Sequence, residues 1–368
     1  MSIRTIYIDD DNHQLRKYEM KFEVDDRSKS RFKLTILNTP KSTKDYKEIE
    51  KGRPELILVD FDLTKPEANG DVIGISGVTL SNELRQKFRE IPIVLFTRKS
   101  VFKVQDYSNI KQTLSSIDEI IYKNDLFKPD KPLLDFLYEL SIGFKKLRTS
   151  KFKTWEDLLK LIKAPEDDYD NLKLSNPPIA SERKPIWSVS KAAKWIRKIL
   201  IAYPGVLYDA VHSANFLGIS KNAFLIEDAK QLFSKAKYSG IFKPTEGRWW
   251  KSKLQEIAES IMNNKERDLL TYDGFSLAWE RTNKIKIERS KCIFSGESPA
   301  ECVCHILKKP VKIKYSLSYK PDSRPSVMDE ARVSFEAIRV SNKVNDELFD
   351  PLGRGMLKDI RKMQKRGG

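Results

Sequence analysis

Four polar positions each stand at the carboxyl end of a short apolar run, and their side-chain types are those that phosphoryl chemistry uses. Asp60 closes Leu56-Ile57-Leu58-Val59, and the acids Asp9, Asp10 and Asp11 follow Ile3-Arg4-Thr5-Ile6-Tyr7-Ile8. Thr97 ends Ile91-Pro92-Ile93-Val94-Leu95-Phe96, and Lys123 ends Ile120-Ile121-Tyr122. A carboxylate can attack phosphorus and carry an acyl phosphate. Asp9 or Asp10 together with Asp60 suits Mg²⁺, a hard cation held by a few carboxylates plus water and phosphate oxygens. A hydroxyl and an ammonium can hold phosphoryl oxygens as charge gathers on them. Singly, Thr97 reads as a strand-end hydroxyl and Lys123 as a solvated lysine. Their order, each after an apolar run, carries the argument.

The runs that precede these residues have strand length and β-branched content. Between them lie amphipathic stretches such as Val78 to Phe88, with apolar residues at helical spacing. Strands alternating with helices predict an α/β fold with a doubly wound, five-stranded parallel sheet. In such sheets ligands collect beyond the carboxyl ends of the strands, so the four positions would converge on one crevice.

Over residues 1 to about 146 these motifs resemble the receiver domain of two-component response regulators. The resemblance implies that Asp9 and Asp10 are the acidic metal pair, Asp60 the phosphoacceptor, Thr97 the hydroxyl that follows the phosphate, and Lys123 the lysine of the last strand. Asp62 falls where the family offers a backbone carbonyl to the metal. Gly74-Ile75-Ser76-Gly77-Val78 is similar to the glycine-containing entry to the third helix. The chain also departs from the pattern. Asn124 replaces a proline that usually forms a cis bond, Arg98 fills a small-residue position, and Ile120 stands at the switch aromatic, with Tyr122 nearby to substitute. Thr64 to Asp71 reads as an enlarged loop. These departures fit either an active, atypical receiver or one that binds partners without turning over phosphate.

Composition bounds the remainder. A chain of 368 residues, 40% hydrophobic, suggests two or three domains with real cores. No run approaches the roughly 18 apolar residues of a membrane span, and the start lacks a secretory apolar region, so the expectation is a cytoplasmic protein with no membrane partner; the receiver resemblance implies a bacterial one. Three cysteines confined to one short region argue against a disulfide framework. Residues 1–150 hold 27 Lys+Arg and 24 Asp+Glu, against 41 and 28 in residues 151–368, so the basic excess belongs to the second part.

The expected organisation is a receiver over 1–148, a short helix and linker over 149–186, and a basic, helix-rich α+β output domain over 187–368, helical to 265 and α+β after it. A closing receiver helix is expected over Leu133 to Leu147 and a short helix from Thr154, as N-cap, to Lys163. Ala164 to Pro185 reads as linker. Ser188 should cap a helix through Ala202 with Ala192, Trp195, Ile196, Ile199 and Leu200 on one face. Pro204 should start a second, ended by Gly218, and Ser220 should cap a third that runs to about Ala236.

Ala214-Asn215-Phe216-Leu217-Gly218-Ile219-Ser220 is similar to the turn of a helix-turn-helix, and Tyr238 to Lys251 could form a basic wing. Lys221, Lys243, Arg248, Lys251 and Lys253 are the candidate contacts to DNA or RNA phosphates. Against this, Phe224, Leu225, Ile226, Leu232 and Phe233 suit a core, Glu227 and Asp228 would repel phosphates, and Trp249-Trp250 reads more simply as a packed pair.

Cys292, Cys302, Cys304 and His305 form a candidate zinc set, but their spacing is poor and a buried, reduced cluster is the plainer reading. The stretch also carries a faint likeness to ββα-metal nucleases, weakened because cysteine stands for their first histidine. Val311 to Tyr319 alternates as a half-buried strand with a basic face. Arg354 to Arg366 reads as a basic helix or solvated tail ending in Gly367-Gly368.

The sequence-level expectation is therefore a response regulator. A sensor histidine kinase would phosphorylate Asp60 with Mg²⁺, and the receiver would control an output that binds nucleic acid. The alternatives are a nuclease-like effector, or a scaffold independent of phosphorylation. A homodimer, or a complex with a partner encoded in the same operon, fits either.

Overall fold

The computed structural model describes residues 2–11, 16, 19–22, 31–40, 43–63, 76–97, 116–127, 133–175, 177, 188–269, 271–320, 325 and 328–362. Arg98, the loop from Thr64 to Asp71, Gly74, Ile75, most of the second half of the expected linker and the end of the chain from Met363 lie outside them. The chain divides into two compact units: Met1–Asp157 with Ser181–Lys194, and Leu158–Ala180 with Trp195–Gly368.

The first unit contains β1 (Ile3–Ile8), β2 (Phe32–Leu37), α1 (Thr43–Lys51), β3 (Leu56–Asp60), α2 (Gly77–Lys87), β4 (Ile93–Thr97), β5 (Glu119–Tyr122) and α3 (Leu133–Ser150). All five strands are parallel, in the order β2-β1-β3-β4-β5. Every residue of β3 and β4 is buried, as expected for central strands covered on both faces, and their continuous apolar sequences follow from that. Chain order reverses between β1 and β3, which makes their carboxyl ends the switch point where this topology opens a crevice. The register sets Ile8 beside Val59 and Asp60 beside Phe96, so Asp9 and Asp60 leave adjacent strands at one level.

At the opposite end of the sheet, buried Glu55 accepts from the backbone N–H of Arg4 at 3.2 Å and from Lys145 Nζ at 2.6 Å, tying α3 to the sheet. Asp118, just before β5, accepts from Ile93 N at 2.8 Å, pairs with Arg85 of α2, and takes a hydrogen bond from Ser190 Oγ at 3.1 Å.

Next come α4 (Trp155–Ile162), α5 (Tyr169–Leu174) and α6 (Val189–Trp195). Thr154 caps α4 as expected, accepting from Asp157 N at 3.2 Å. The expected linker is overturned over 164–175. A 3₁₀ turn at Glu166–Asp168 leads into α5, Leu172 is fully buried, and Ser175 Oγ accepts from Trp195 Nε1 at 3.1 Å. The sparse apolar residues there concealed a short packed helix. α6 continues as a wider π turn over Ile196–Leu200 and stops there, short of the expected Ala202; Ala192, Trp195, Ile196 and Leu200 are buried as expected, while Ile199 is half-buried.

The second unit continues with β6 (Leu207–Tyr208), α7 (Ala210–Phe216), α8 (Lys221–Phe224), α9 (Glu227–Leu232), β7 (Trp249–Trp250), α10 (Lys251–Ile261), α11 (Asn264–Arg267) and α12 (Thr271–Asn283). Two expectations are corrected here. The helix does not start at Pro204: Asp209 caps it, accepting from Val211 N and His212 N, because a short aspartate satisfies helix-end N–H groups that proline cannot. The helix from Ser220 does not reach Ala236 unbroken. It stops at Phe224, Ile226 is extended, and Glu227 and Asp228 open α9, where their charge suits the new N-terminus. Gly218 (φ +71°) ends α7 in the left-handed region, and an added Cβ would meet the Tyr272 carbonyl oxygen at 1.9 Å, so glycine is required there. Phe224, Phe233, Trp249, Leu254, Phe275 and Trp279 belong to the core of this half.

The last part contains β8 (Cys302–Val303), β9 (Pro310–Val311), β10 (Ser316–Tyr319), β11 (Ala331–Ser334), α13 (Phe335–Val340) and α14 (Pro351–Lys362). The expected continuous strand from Val311 to Tyr319 is interrupted by a 3₁₀ turn at Ile313–Tyr315. Glu301 accepts from Ile313 N at 2.8 Å and Lys312 Nζ at 3.3 Å, drawing the chain out of line. α14 is a docked helix rather than a solvated tail: Leu357 and Ile360 are buried and Arg361 makes a two-pronged pair with Asp346 at 2.6 and 2.7 Å.

Candidate phosphoacceptor site

Asp9, Asp60, Thr97 and Lys123 meet at the carboxyl edge of the sheet, all buried although all are polar. Each arrives there because a buried strand ends just before or at it. Thr97 is paired in register with Tyr122, so Lys123 leaves β5 beside it. From there the chain winds directly into a 3₁₀ helix over Lys123–Phe127, with Asn124 exposed.

Lys123 Nζ lies 2.8 Å from Asp60 Oδ1 and 3.2 Å from Asp9 Oδ2. Asp60 Oδ1 also accepts from Phe61 N at 2.8 Å, so the ammonium and this N–H both fall on the same oxygen of the carboxylate. Asp9 Oδ2 accepts from Tyr7 OH at 2.6 Å and its Oδ1 from Asp11 N at 2.9 Å. Burial pushes the Asp60 carboxyl up to about 6, with Lys123 opposing the rise and the Asp9 carboxylate adding to it. One ammonium among these acids does not fully compensate their desolvation.

Asp9, Asp10 and Asp60 each offer a carboxylate oxygen within 4.8 Å of the others, and they are the one such group of potential metal ligands among the described residues. A purely oxygen, carboxylate-rich donor set fits Mg²⁺, and a divalent cation would relieve the repulsion that raises Asp60. The Asp62 side chain is exposed.

α2 closes against the same edge. Ser76 Oγ caps the helix by accepting from Thr79 N at 3.1 Å, and Gly77 N donates to Phe61 O at 3.0 Å. A Cβ on Gly77 would stand 1.8 Å from the Asp60 carbonyl oxygen, so glycine is what lets the helix start against the acceptor's own backbone.

No protein-family model and no curated protein matches the chain. Solved structures do. Among the solved structures that the chain resembles are receiver domains. A response regulator receiver domain protein from Clostridium thermocellum is 15% identical, over 40% of this chain and 98% of its own, with a TM-score of 0.28. A CheY-like receiver protein from Methanospirillum hungatei is 16% identical, over 40% and 98%, at 0.29. The response regulator TrrA from Thermotoga maritima, solved with Mg²⁺ and a beryllium fluoride, is 17% identical, over 37% and 98%, at 0.25.

Tyr7 is the member of the site that the sequence reading passed over. The signal was present, because residues two apart on a strand share a face, which aims its hydroxyl along β1 toward Asp9. Ile120 is partly buried against the sheet core, and Tyr122 is half-buried.

The other candidate sets are more dispersed. Lys221 and Lys243 are exposed. Arg248 donates to the carbonyls of Ile201 and Gly247, Lys251 pairs with Asp329 at 3.2 Å beneath the rings of Tyr208 and Phe216, and Lys253 pairs with Glu256. Trp249 and Trp250 are buried, Trp249 edge-on to Phe224. Cys292 Sγ accepts from Lys312 N, Cys304 Sγ from Leu307 N and Ser334 N, and Cys302 Sγ donates to Val311 O. His305 packs against Tyr319 with ring centroids 5.6 Å apart. No three of Cys292, Cys302, Cys304 and His305 bring donor atoms within 4.8 Å of one another. No described helix is long and apolar enough to cross a membrane.

Proposed function

We propose that the first unit is a phosphorylatable receiver and the protein a response regulator, whose basic second unit is its output. The observation that carries the reading is the Lys123 ammonium placed between Asp9 and Asp60, with Thr97 at the same strand edge. Asp60 Oδ2 attacks the phosphorus of a phosphohistidine on a sensor kinase, the P–N bond breaks, and the imidazole leaves. Lys123 takes an oxygen of the arriving phosphoryl group, and the Thr97 hydroxyl supplies a second contact. Asp9, Asp10 and Asp60 would hold Mg²⁺, with the carbonyl of residue 62 as the further donor that the family resemblance implies. When bound, that ion neutralises charge shared between the carboxylates and the phosphoryl oxygens.

The phosphoryl group can bias the output only by its differential stabilisation of two states. A complete switch needs about 5.5 kcal/mol. For the output we favour nucleic acid, because the chain's positive excess is concentrated after residue 150.

The test is incubation of the full chain with acetyl phosphate and Mg²⁺, read by intact mass. One phosphate should add to the wild type and none to Asp60→Asn. Phosphate on Asp60→Asn, or none on the wild type with either acetyl phosphate or a phosphorylated kinase, would remove the reading.

A further inference from the structure

α7 of the second unit carries a separate arrangement. Asp209 Oδ1, besides capping the helix, accepts from His212 Nδ1 at 2.9 Å. Fixing the proton on Nδ1 leaves the lone pair of a neutral ring on Nε2, for which no hydrogen bond is found among the described residues. Asn215 lies three residues on, on the same helix face. It is 5% exposed, and its Oδ1 is buried with no hydrogen-bond partner. Buried amide oxygens are normally satisfied, so this one calls for a donor or a cation. His212 and Asn215 line a cavity of about 120 Å³ to which His305, Asp329 and Cys302 also contribute. Two of the chain's three histidines therefore face one small space.

We propose that this cavity is a cation site for a divalent ion with affinity for imidazole, Zn²⁺ being representative, bound by His212 Nε2 and Asn215 Oδ1 with His305 and Asp329 alongside. The lone pairs of an imidazole, an amide oxygen and a carboxylate attract a cation and disfavour an anion. Imidazole with oxygen donors suits first-row divalent ions better than Mg²⁺. The Asp209 carboxylate behind His212 is the support that metal-binding imidazoles commonly have. Tyr208 OH and Lys251 Nζ hold Asp329 in place. The thiol already has a partner, since Cys302 Sγ donates to Val311 O. His212, His305 and Asp329 do not already gather within 4.8 Å as a trio. The ion is therefore held partly by water, or after His305 leaves its packing on Tyr319.

The experiment is equilibrium dialysis of the full chain against Zn²⁺ at pH 7, with Mg²⁺ in excess to occupy the carboxylate cluster, followed by metal analysis. Wild type should hold one Zn²⁺. His212→Gln and Asn215→Leu should each weaken binding at least ~10-fold, Asp209→Asn by about 10–100-fold, and Cys302→Ser should change nothing. No Zn²⁺ on the wild type, retention by His212→Gln, or loss in Cys302→Ser overturns the site. If His212→Gln does not fold, Asn215→Leu decides. An orphaned amide that is only a packing defect would give a higher Tm with Zn²⁺ binding intact, and that result also overturns it.

Discussion

Lys123 and Asp60 form a buried ion pair, Nζ to Oδ1 at 2.8 Å, with both side chains less than a tenth exposed. The same ammonium reaches Asp9, so removing it strands two carboxylates in the interior at once. Breaking a buried pair by deleting one partner costs about 3–5 kcal/mol. Lys123→Met is expected to lower stability by that order in metal-free urea denaturation. Mg²⁺ should restore part of the loss, since it offers the same acids another cation. A loss that Mg²⁺ leaves untouched would place the value of Lys123 in packing rather than in charge.

The acceptor's own titration gives a signed prediction. Asp60 in the folded protein titrates near 6 against an ordinary 3.8, so between those values the folded chain binds more protons than the unfolded one. Stability from this group is therefore present at low pH, falls as pH rises from about 4 to about 6, and stays lower above that. The difference corresponds to roughly 2–3 kcal/mol. Asp60→Asn should be more stable than wild type at pH 7.5, by on the order of 1–3 kcal/mol, and nearly equal to it at pH 4. Asp168, also pushed up to about 6 by burial, follows the same course in both proteins, so the comparison isolates Asp60. Equal urea midpoints at pH 7.5 would contradict the assignment.

Gly77 makes the close approach of α2 to β3 testable. Its missing Cβ would sit 1.8 Å from the Asp60 carbonyl oxygen, which is backbone and cannot rotate away. Gly77→Ala should shift the start of α2 or the Asp60–Phe61 peptide, at about 1–3 kcal/mol. It should also weaken binding of beryllium fluoride with Mg²⁺, because the Phe61 N–H that holds Asp60 Oδ1 moves with that peptide. Ser76→Ala, which removes only the cap, is the control and should leave ligand binding near wild type. Calorimetric titration of both variants separates the outcomes.

What was legible in the sequence follows from how much of it local chemistry decides. Central parallel strands are buried on both faces, so Leu56-Ile57-Leu58-Val59 and Ile93-Val94-Leu95-Phe96 announce themselves as unbroken apolar runs, and the polar residue that ends each is marked by contrast. The second unit lacks such strands. Its β6 to β9 are two residues long, too short to show any period. Its breaks are made by tertiary contacts, such as Glu301 taking the Ile313 N–H, that no spacing rule encodes. His212 and Asn215 were passed over because they carry meaning only with Asp209 behind them and His305, 90 residues later, brought to the same cavity.

The candidate cations of the second unit differ enough in setting to be told apart by salt. Lys221 and Lys243 are exposed, while Lys251 is tied to Asp329 and lies over two aromatic rings. A cation already paired releases little counterion on meeting a phosphate. Each phosphate neutralised on B-DNA contributes about −0.9 to the slope of log K against log salt. Fluorescence anisotropy with a labelled duplex, from low to physiological salt, should give a slope smaller by about 2 for Lys221→Ala with Lys243→Ala. For Lys251→Ala the slope should hardly change, the effect appearing instead as a lower Tm from the lost ring and carboxylate contacts. A salt-independent association, or a slope that responds to Lys251 and not to the exposed pair, would argue that the basic unit does not use this surface for nucleic acid.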